Sequence, residues 1–467
     1  RRELARVQPL PERRYAELSG IIVREKAPNL RPVVIGTGPC GLFCALLLAR
    51  QGWKPIVLER GKPAGPRARD ATGFWRRGLE FDPDSNVQFG EGGGGTFSDG
   101  KLYTQIRDRE HRIPWILQEM VRAGAPEDIL LKARPHIGTD RLIKVVRHIR
   151  EEIQALGGDV RFETMMDELI LRDGRVAGVR LRDGTEIPTD RVILAVGHSA
   201  RPTFEMLHRH GVSMEAKALS IGVRVEHPQS LIDRTQYGQW AGDARLGAAP
   251  YKFAHHCRTG RVAYSFCMCP GGLVVAAGSE PGGVVTNGMS SYARAEANAN
   301  SGFMVDVSPE DYGGSGPLAG IAFQRKWETQ AFAVGGGGYR APVQTIGDFL
   351  AGRPTQSLGS VPSSYEPGIT PADLRECLPP FVVATLKEAI PAIERTLRGF
   401  ALPDAVLVGV ETRSSSPLRI TRDAVTHESI STPGLYPAGE GAGYAGGIIS
   451  AAVDGMRVAE TILRRGA

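Results

Sequence analysis

The chain has 467 residues, of which 42% are hydrophobic and 23% charged, and its 57 Lys and Arg against 51 Asp and Glu give a net charge of +6. The length predicts two domains, because single cores stop growing near ~250–300 residues. The mild charge, without any block of five like charges, argues against a nucleic-acid-binding protein.

After a polar lead-in at 1–30, the first clear pattern is a short apolar strand followed by a glycine-rich turn and an apolar helix. The turn carries the spacing G-x-G-x-x-G at Gly36, Gly38 and Gly41. Gly36 permits a tight turn, Gly38 lets a diphosphate approach the backbone, and Gly41 lets the helix pack closely on the strand. Because a helix N-terminus offers free N–H groups to phosphates, the pattern predicts a dinucleotide-binding turn.

The residues around this turn extend the predicted site. Glu59 ends a second apolar strand about 20 residues on, where an acid binds a ribose hydroxyl. Pro39 and Cys40 occupy the first helical turn, and Arg60 directly follows the acid. We expect all of them to lie against the dinucleotide. Arg67, a few residues further on, is either a clamp for a phosphate or an ordinary surface arginine.

Residues 61–112 are rich in Gly, Asp and Arg and predict a long irregular loop, which in a compact domain is usually functional. The stretch 95–101 matches the phosphate loop G-x-x-x-x-G-K, but Leu follows it where a Ser or Thr should hold magnesium. We therefore interpret it as a loop along the dinucleotide, with Gly94, Ser98 and Lys101 available to the cofactor.

The middle of the chain mixes helical and strand patterns. Apolar spacing predicts a helix from about 139 to 156. Short strands are expected at 160–162, 168–171, 176–181, 186–187 and 191–196, with Asp-Gly pairs between some of them as signals for tight hairpins.

From about residue 211 the pattern changes to strands mixed with glycine-rich turns. Strands are expected at 220–226, 261–266, 273–277 and 406–410, and a helix near 374–390. We interpret 211–404 as an inserted substrate domain with a mixed sheet. Residues 31–210 and 405–467 then form one discontinuous dinucleotide-binding domain.

The last predicted strand ends in Glu440 and leads into a helix start made mostly of small residues. This segment resembles the C-terminal cofactor motif of FAD enzymes with the glutathione-reductase-like fold. The resemblance implies that Gly439 and Glu440 lie at the cofactor, with the carboxylate at a ribityl hydroxyl. It also implies that the helix beginning at Gly446, Gly447 and Ile448 directs its N–H groups at the flavin, whose reduced form is negatively charged.

The strand end at Val196 and Gly197 resembles a second short motif of the same fold. Segments 85–102, 197–201, 267–272 and 410–417 are similar to those of a bacterial family of poorly characterised NAD(P)/FAD-dependent oxidoreductases, and the similarity runs from about residue 31 to the end. It implies an α/β fold, in which an FAD-binding Rossmann-like domain of the glutathione-reductase type carries an inserted mixed-sheet substrate domain. Cys40 and Gly94 stand where the family usually has Ala. Members commonly carry an extra small domain at the front, of which we expect at most a remnant.

Two residues are predicted to act on the substrate. Arg413 could hold a substrate carboxylate or an oxyanion. Tyr444, just before the last helix, is either an acid near the flavin or a ring packed over it. Cys267 and Cys269 are interpreted as two small side chains on one face of a strand rather than as a redox pair.

These features predict an FAD-dependent dehydrogenase or reductase that transfers a hydride between flavin N5 and a small organic substrate at C–H, C–N or C=C. Only one dinucleotide fingerprint is present, so NAD(P)H, if it donates electrons, must enter the substrate cleft transiently. A FAD-dependent monooxygenase is the alternative. An RNA-modifying flavoprotein, suggested only by the charge, is less favoured.

Other classes of partner are not expected. The longest uninterrupted apolar run near the front is far shorter than the ~20 residues of a membrane span, and no secretory signal is present. Six cysteines do not make a disulfide scaffold. His255 and His256 are adjacent on a strand and point to opposite faces, so no metal site is predicted. We expect a cytoplasmic protein without membrane or nucleic-acid partners, and the sequence assigns no oligomeric state.

Overall fold

The computed structural model describes residue 15 and residues 30–465, so the predicted lead-in at 1–30 lies almost wholly outside the described residues. The strands of the described part are β1 Val33–Ile35, β2 Ile56–Leu58, β3 Asp159–Arg161, β4 Met166–Arg172, β5 Arg175–Leu181, β6 Glu186–Pro188, β7 Val192–Leu194, β8 Met214–Ala216, β9 Leu219–Pro228, β10 Ala254–His256, β11 Val262–Cys269, β12 Leu273–Ala276, β13 Thr286–Met289, β14 Asn298–Val307, β15 Ala341–Thr345, β16 Ile369–Pro371, β17 Val406–Glu411, β18 Leu418–Ile420 and β19 Leu435–Pro437. The α-helices are α1 Pro39–Arg50, α2 Ala64–Arg77, α3 Arg112–Arg122, α4 Thr139–Ala155, α5 Arg201–Arg209, α6 Gln229–Tyr237, α7 Ala319–Val334, α8 Ile346–Ala351, α9 Pro380–Glu394 and α10 Ile448–Arg465.

A parallel sheet in the order β19-β7-β1-β2-β3 forms the first layer. The short apolar strands β19, β7, β1 and β2 are buried, as parallel strands are when other elements cover both sides, whereas the edge strand β3 is half-buried. Val34, Val57 and Ile193 pack with α1, α4 and α10 on one face. The neighbouring residues in each strand pack on the other face with α5 and with the antiparallel meander β4-β5-β6. The hairpin between β4 and β5 turns at Asp173 and Gly174, both with positive φ, as a tight hairpin requires.

A seven-stranded sheet in the order β10-β11-β14-β9-β17-β15-β16 forms the second layer. All its pairs are antiparallel except β15 with β16, so the predicted mixed sheet is confirmed. Strand β17 lies between β9 and β15 within this sheet. The predicted domain boundary at 405 assigns β17 to the first domain. In the structure this strand makes its backbone hydrogen bonds in the second sheet.

The segment 61–112 differs most from its prediction. It holds α2 as well as irregular backbone. Gly65, Pro66 and Gly73 lower the helix propensity of this stretch and conceal it in the sequence. The helix forms because Arg67, Ala71 and Trp75, at i, i+4 and i+8, bury one face. The helix expected at 374–390 begins later, at Pro380.

None of the described helices combines the length and the apolar character needed to cross a membrane.

Candidate functional site

A deep cavity opens between the carboxyl end of the parallel sheet and the seven-stranded sheet. Its volume of about 380 Å³ lies in the range of ~300–1,000 Å³ that small-molecule and cofactor sites occupy. The segments that follow β1, β2 and β7 and the start of α10 form one wall, and residues of β11 and β17 form the other. Most of the predicted cofactor residues line it: Gly36, Gly38, Pro39, Cys40, Glu59, Arg60, Gly94, Ser98, Lys101, Val196, Gly197, Glu440, Gly446, Gly447 and Ile448.

The three glycines of the first turn have different roles. Gly36 has φ +100°, and a Cβ there would lie 2.4 Å from the Ala195 carbonyl oxygen. A Cβ on Gly41, which does not line the cavity, would lie 1.9 Å from the Gly36 carbonyl oxygen. A Cβ on Gly38 would meet Gly93 Cα only at 3.9 Å. Gly36 and Gly41 are therefore needed for close packing, whereas Gly38 faces open space.

Gly38 is also the N-cap of α1. No side chain caps this helix, and its first turn contains no acid. The positive end of the helix dipole and its backbone N–H groups therefore stay available for an anion in the cavity.

Arg67 lies behind this wall and does not line the cavity. It is fully buried, and its guanidinium donates to the carbonyl oxygens of Asn86 (2.7 Å), Val87 (2.7 Å), Gly90 (3.2 Å) and Glu91 (2.7 Å). The expectation of a phosphate clamp or a surface arginine at this position is wrong. Arg67 holds the 86–91 loop in place, because its fork of donors reaches several carbonyls at once.

Glu59 links the glycine turn to this loop. One carboxylate oxygen accepts hydrogen bonds from the Thr37 backbone N–H (3.0 Å) and hydroxyl (2.6 Å). The other accepts from the N–H groups of Gly61 and Gly90, each at 3.0 Å. The sequence suggested only a ribose ligand at this position. In the structure the carboxylate also joins three backbone segments of the cavity wall.

The loop at 98–101 lies along the cavity floor. Ser98 Oγ donates to the Gly95 carbonyl oxygen at 2.7 Å. Lys101 Nζ lies 3.0 Å from a carboxylate oxygen of the buried Asp99 and also donates to the Met268 carbonyl oxygen. The ammonium therefore connects the loop of the first layer to β11 of the second.

Glu440 also lines the cavity and follows β19 in the chain. Burial raises the pKa of its carboxyl to about 7, against the lowering effect of the Lys217 charge. Gly439 does not line the cavity, and a Cβ there would lie 2.9 Å from that of Cys40. A Cβ on Gly446 would meet no atom within 4 Å, and the first turn of α10 has no acid, so this helix start is also open, although the Gly446 N–H itself donates to Ser450 Oγ at 3.2 Å.

Arg413 lines the second wall of the cavity, the one to which β11 and β17 contribute, but its charge is already paired. Its guanidinium donates to both oxygens of Glu328, at 3.1 and 2.8 Å, and to the hydroxyl of Ser279. Arg201 binds the same carboxylate from the other side, at 2.8 and 2.9 Å. The predicted role of Arg413 at a substrate carboxylate or an oxyanion stays a prediction, and Glu328 already balances the charge that this role would use. Burial and the charges of Arg413 and Arg201 also lower the pKa of His198 in the cavity wall to about 3, so its imidazole is neutral.

Tyr444 is turned away from the cavity and does not line it. Its hydroxyl accepts a hydrogen bond from the Arg422 backbone N–H at 3.1 Å, and the Arg422 guanidinium lies 3.8 Å from its ring centroid. Arg422 in turn binds Asp454 of α10 at 2.6 Å. Neither predicted role at a flavin, as an acid or as a packing ring, applies, because the ring joins a cluster behind the helix.

Sequence reasoning assigned no role to Glu411, which lines the cavity. Its carboxylate pairs with the fully buried Arg224 at 3.0 Å, and Arg224 also donates to Asn300 Oδ1 at 2.9 Å. Burial raises the pKa of Glu411 to about 7, although Arg224 opposes it. An acid at the end of the apolar run 406–410 is the signal that would have indicated it.

A second cluster brings together donor atoms of His255, Cys257 and Glu388, all within 4.8 Å of one another. None of these residues lines the cavity, and Glu388 also accepts a hydrogen bond from the Arg258 backbone N–H at 2.8 Å. The sequence could not indicate the third member, because α9 brings it to β10 from far along the chain. The absence of a metal remains a prediction.

Comparison with known proteins adds the family context. A family model described as "FAD-dependent protein, C-terminal domain-like" matches residues 218–414, which include β17. An uncharacterized protein of Clostridium beijerinckii is 51% identical over 436 residues, which cover 93% of this chain and 81% of that protein. Protein FixC of Escherichia coli is 27% identical over 228 residues, 46% of this chain and 48% of FixC.

Among solved structures, L-proline dehydrogenase from P. horikoshii aligns with 94% of this chain and 94% of its own, at 12% identity and a TM-score of 0.35. Glycine oxidase from Bacillus cereus aligns with 94% of this chain and 98% of its own, at 12% identity and a TM-score of 0.35.

Proposed function

The chain belongs to a family of poorly characterised FAD-dependent oxidoreductases, and from this premise we propose that it catalyses hydride transfer between the flavin and a small organic substrate at a C–H, C–N or C=C bond. FAD supplies the two-electron chemistry of such a reaction. The protein binds the cofactor and the substrate, orients them and tunes the electronic properties of the flavin. The finer parts of the proposal are the glutathione-reductase type of the FAD fold, the division into domains, and the residues that hold the cofactor. The proposed domains are 31–210 with 405–467 and 211–404, with strand β17 of the 405–467 segment paired in the sheet of the second.

The form of the cavity wall supports FAD as the group that it takes. Glycine stands at nine lining positions and leaves bare backbone at each of them: Gly36, Gly38, Gly93, Gly94, Gly95, Gly100, Gly197, Gly446 and Gly447. Two helix starts without acids, those of α1 and α10, open on the same cavity. Each helix start favours negative charge. An elongated ligand could therefore place its diphosphate at one helix start and its electron-rich ring system at the other.

In this proposal Gly38 and the N–H groups of α1 hold the diphosphate, Glu59 binds a ribose hydroxyl, and Glu440 binds the ribityl chain. The start of α10 at Gly446 and Gly447 favours the negative charge of the reduced ring.

The residues of the second wall, to which β11 and β17 contribute, would bind the substrate. Phe266 and Asn287 supply one apolar and one amide surface, and Glu411 and Ser414 supply polar groups on β17 and just after it. Glu411, with a pKa of about 7, can hold or release a proton near neutral pH, which suits a general acid or base. Arg413 positions this wall as a fixed donor, since Glu328 balances its charge.

The single observation that carries the proposal is the convergence of the two open helix starts on one cavity lined by glycine. The experiment is to purify the protein, record its bound-flavin spectrum, and add NADH, NADPH or candidate metabolites without oxygen. We expect flavin bands that bleach with at least one of these reductants. A folded protein that stays colourless after incubation with FAD would overturn the proposal.

The same experiment separates the alternatives. Bleaching by NADH or NADPH would support a nicotinamide as transient donor. Incorporation of an oxygen atom from ¹⁸O₂ into the product would indicate a monooxygenase instead of a dehydrogenase or reductase.

A further inference from the structure

Cys267 and Cys269 lie at the end of β11, where the strand pairing is interrupted. The register of β11 against β14 shifts between Phe266 and Cys269. Cys267 has φ +42°, a conformation that a residue with a side chain rarely adopts. Such bulges often re-aim a side chain beside a functional site. Here Cys267 lines the same cavity as the proposed cofactor residues.

Two cations bind the segment that carries the two cysteines. Arg224 Nη2 donates to the Cys267 carbonyl oxygen at 2.8 Å and lies 3.5 Å from Cys269 Sγ. Lys101 Nζ donates to the carbonyl oxygen of Met268, the residue between the two cysteines. A thiol beside Lys and Arg is the environment in which a thiolate, the reactive form of cysteine, is stabilised.

The Cys269 thiol donates to the backbone carbonyl oxygen of Cys267 at 3.2 Å. The neighbouring Cys269 thiol, together with the charges of Lys101 and Arg224, lowers the pKa of the Cys267 thiol, against the opposing effects of burial and of the Asp99 charge. Two other acids of the cavity wall face Cys267. A negative charge on Cys267 raises the pKa of the carboxyls of Glu411 and Glu440.

The other cysteines provide the contrast. All six lie among the described residues and are free, and Cys267 alone is half-buried while the others are buried. Burial raises the pKa of the thiols of Cys40, Cys44, Cys257 and Cys377. These four are small packing residues, which is how the sequence also interpreted Cys267 and Cys269.

We propose that Cys267 and Cys269 form a redox-active thiol pair, a second two-electron centre in the cavity, with Cys267 as the reactive thiolate. This inference rests on the proposed flavin function, because a flavin reaction needs a second half-reaction and the chain has one dinucleotide fingerprint. The pair would carry electrons between the flavin and an external thiol or disulfide.

The step balances in atoms and electrons. One thiolate and one thiol form one S–S bond and release two electrons and one proton, which a bound oxidised flavin would accept. An external dithiol then reduces the S–S bond by thiol–disulfide exchange and is itself oxidised to a disulfide. Two residues of extended strand span roughly 6.6 Å between Cα atoms, at the upper end of the about 4.4–6.8 Å that disulfides use, so closing the bond requires the backbone at this bulge to bring the two Cβ atoms closer together.

The first measurement is the alkylation rate of each cysteine in the flavin-free protein, followed by peptide mass mapping with iodoacetamide at pH 5 to 9. At pH 6 a thiolate with a low pKa should react about tenfold faster than the same cysteine in unfolded protein, because its larger ionised fraction outweighs its lower intrinsic nucleophilicity. Lys101→Met should move the midpoint of the Cys267 profile to higher pH. Lys62→Met, which removes a lysine paired with Asp70 outside the cavity, should not.

The second measurement is disulfide formation in oxidising glutathione buffer. We expect a loss of two mass units in the peptide that contains both cysteines, reversed by dithiothreitol and abolished by Cys269→Ser, whereas Cys257→Ala leaves it intact. Slow, ordinary alkylation of Cys267, or failure to form this disulfide in the folded wild-type protein, would overturn the thiol pair. Neither readout uses flavin, so a protein that binds no FAD yet closes this disulfide would refute the proposed function separately.

Discussion

The substitution Gly38→Asp should separate binding of the dinucleotide from folding. Gly38 is the N-cap of α1, with φ −66° and ψ 177°, and a Cβ there would have its nearest neighbour at 3.9 Å. An aspartate therefore fits, and as an N-cap it should stabilise the helix by a few tenths of a kcal/mol relative to glycine. It would also place a negative charge where the diphosphate is proposed to lie.

The size of the effect follows from Coulomb's law. Two unit charges about 4 Å apart repel by about 4 kcal/mol at an effective dielectric constant of about 20. This energy corresponds to about three orders of magnitude in affinity. Gly38→Asn is the matched control, because asparagine has nearly the same volume and caps helices equally well but carries no charge.

The assay is titration of the flavin-free variants with FAD, followed by fluorescence at low salt, alongside thermal unfolding of each. We expect both variants to be at least as stable as the wild type, with FAD affinity about 1,000-fold weaker for the aspartate than for the asparagine. If the two variants bind FAD within tenfold of each other, the diphosphate does not lie at this helix start and the reasoning is refuted.

Three further outcomes test individual residues. Arg67→Lys should lower the free energy of unfolding in urea by about 3 kcal/mol, because a single ammonium cannot reach the several carbonyls that this arginine holds; an unchanged midpoint would contradict its assigned role. Without FAD, the wild type should lose stability relative to Glu440→Gln as the pH rises from about 4.5 to about 7, since the folded carboxyl keeps its proton up to a pKa of about 7 while the unfolded one does not. Thermal unfolding at pH 4.5, 6 and 8 measures this difference, which should level off above pH 7. Tyr444→Phe should leave the FAD spectrum and turnover unchanged and cost about 1 kcal/mol of stability, through the lost hydrogen bond to the Arg422 backbone; a large loss of turnover would return this tyrosine to the site.

Local patterns in the sequence were sufficient for much of the first layer. The glycine spacing at Gly36, Gly38 and Gly41 correctly indicated a strand, a tight turn and a helix, because Gly36 has a positive φ and a Cβ on Gly41 would meet the Gly36 carbonyl oxygen of the same turn. The hairpin at Asp173 and Gly174 followed from turn chemistry in the same way. Helix α2 was missed because its glycines and proline lower the helix propensity of the segment, while the burial of one helix face that stabilises it is a tertiary effect.

The roles of the charged residues depended on contacts that no local pattern contains. Arg67 and Arg413 are chemically suited to phosphate or carboxylate, and only the fold gives their guanidinium groups to the 86–91 carbonyls and to Glu328. The pairing of Glu411 with Arg224 likewise joins β17 to β9 across the second sheet.

The sequence alone determined the glycine turn at 36–41 and the strand and helix order around it, because a positive φ at Gly36 and the close approach of Gly41 to it select glycine at those positions. The tertiary structure alone decided which charges are free and which are paired, and it brought Lys101 and Arg224 to the two cysteines of β11. The physical reason is that ionisation and reactivity depend on burial and on charges within a few ångströms, and those neighbours come from distant parts of the chain.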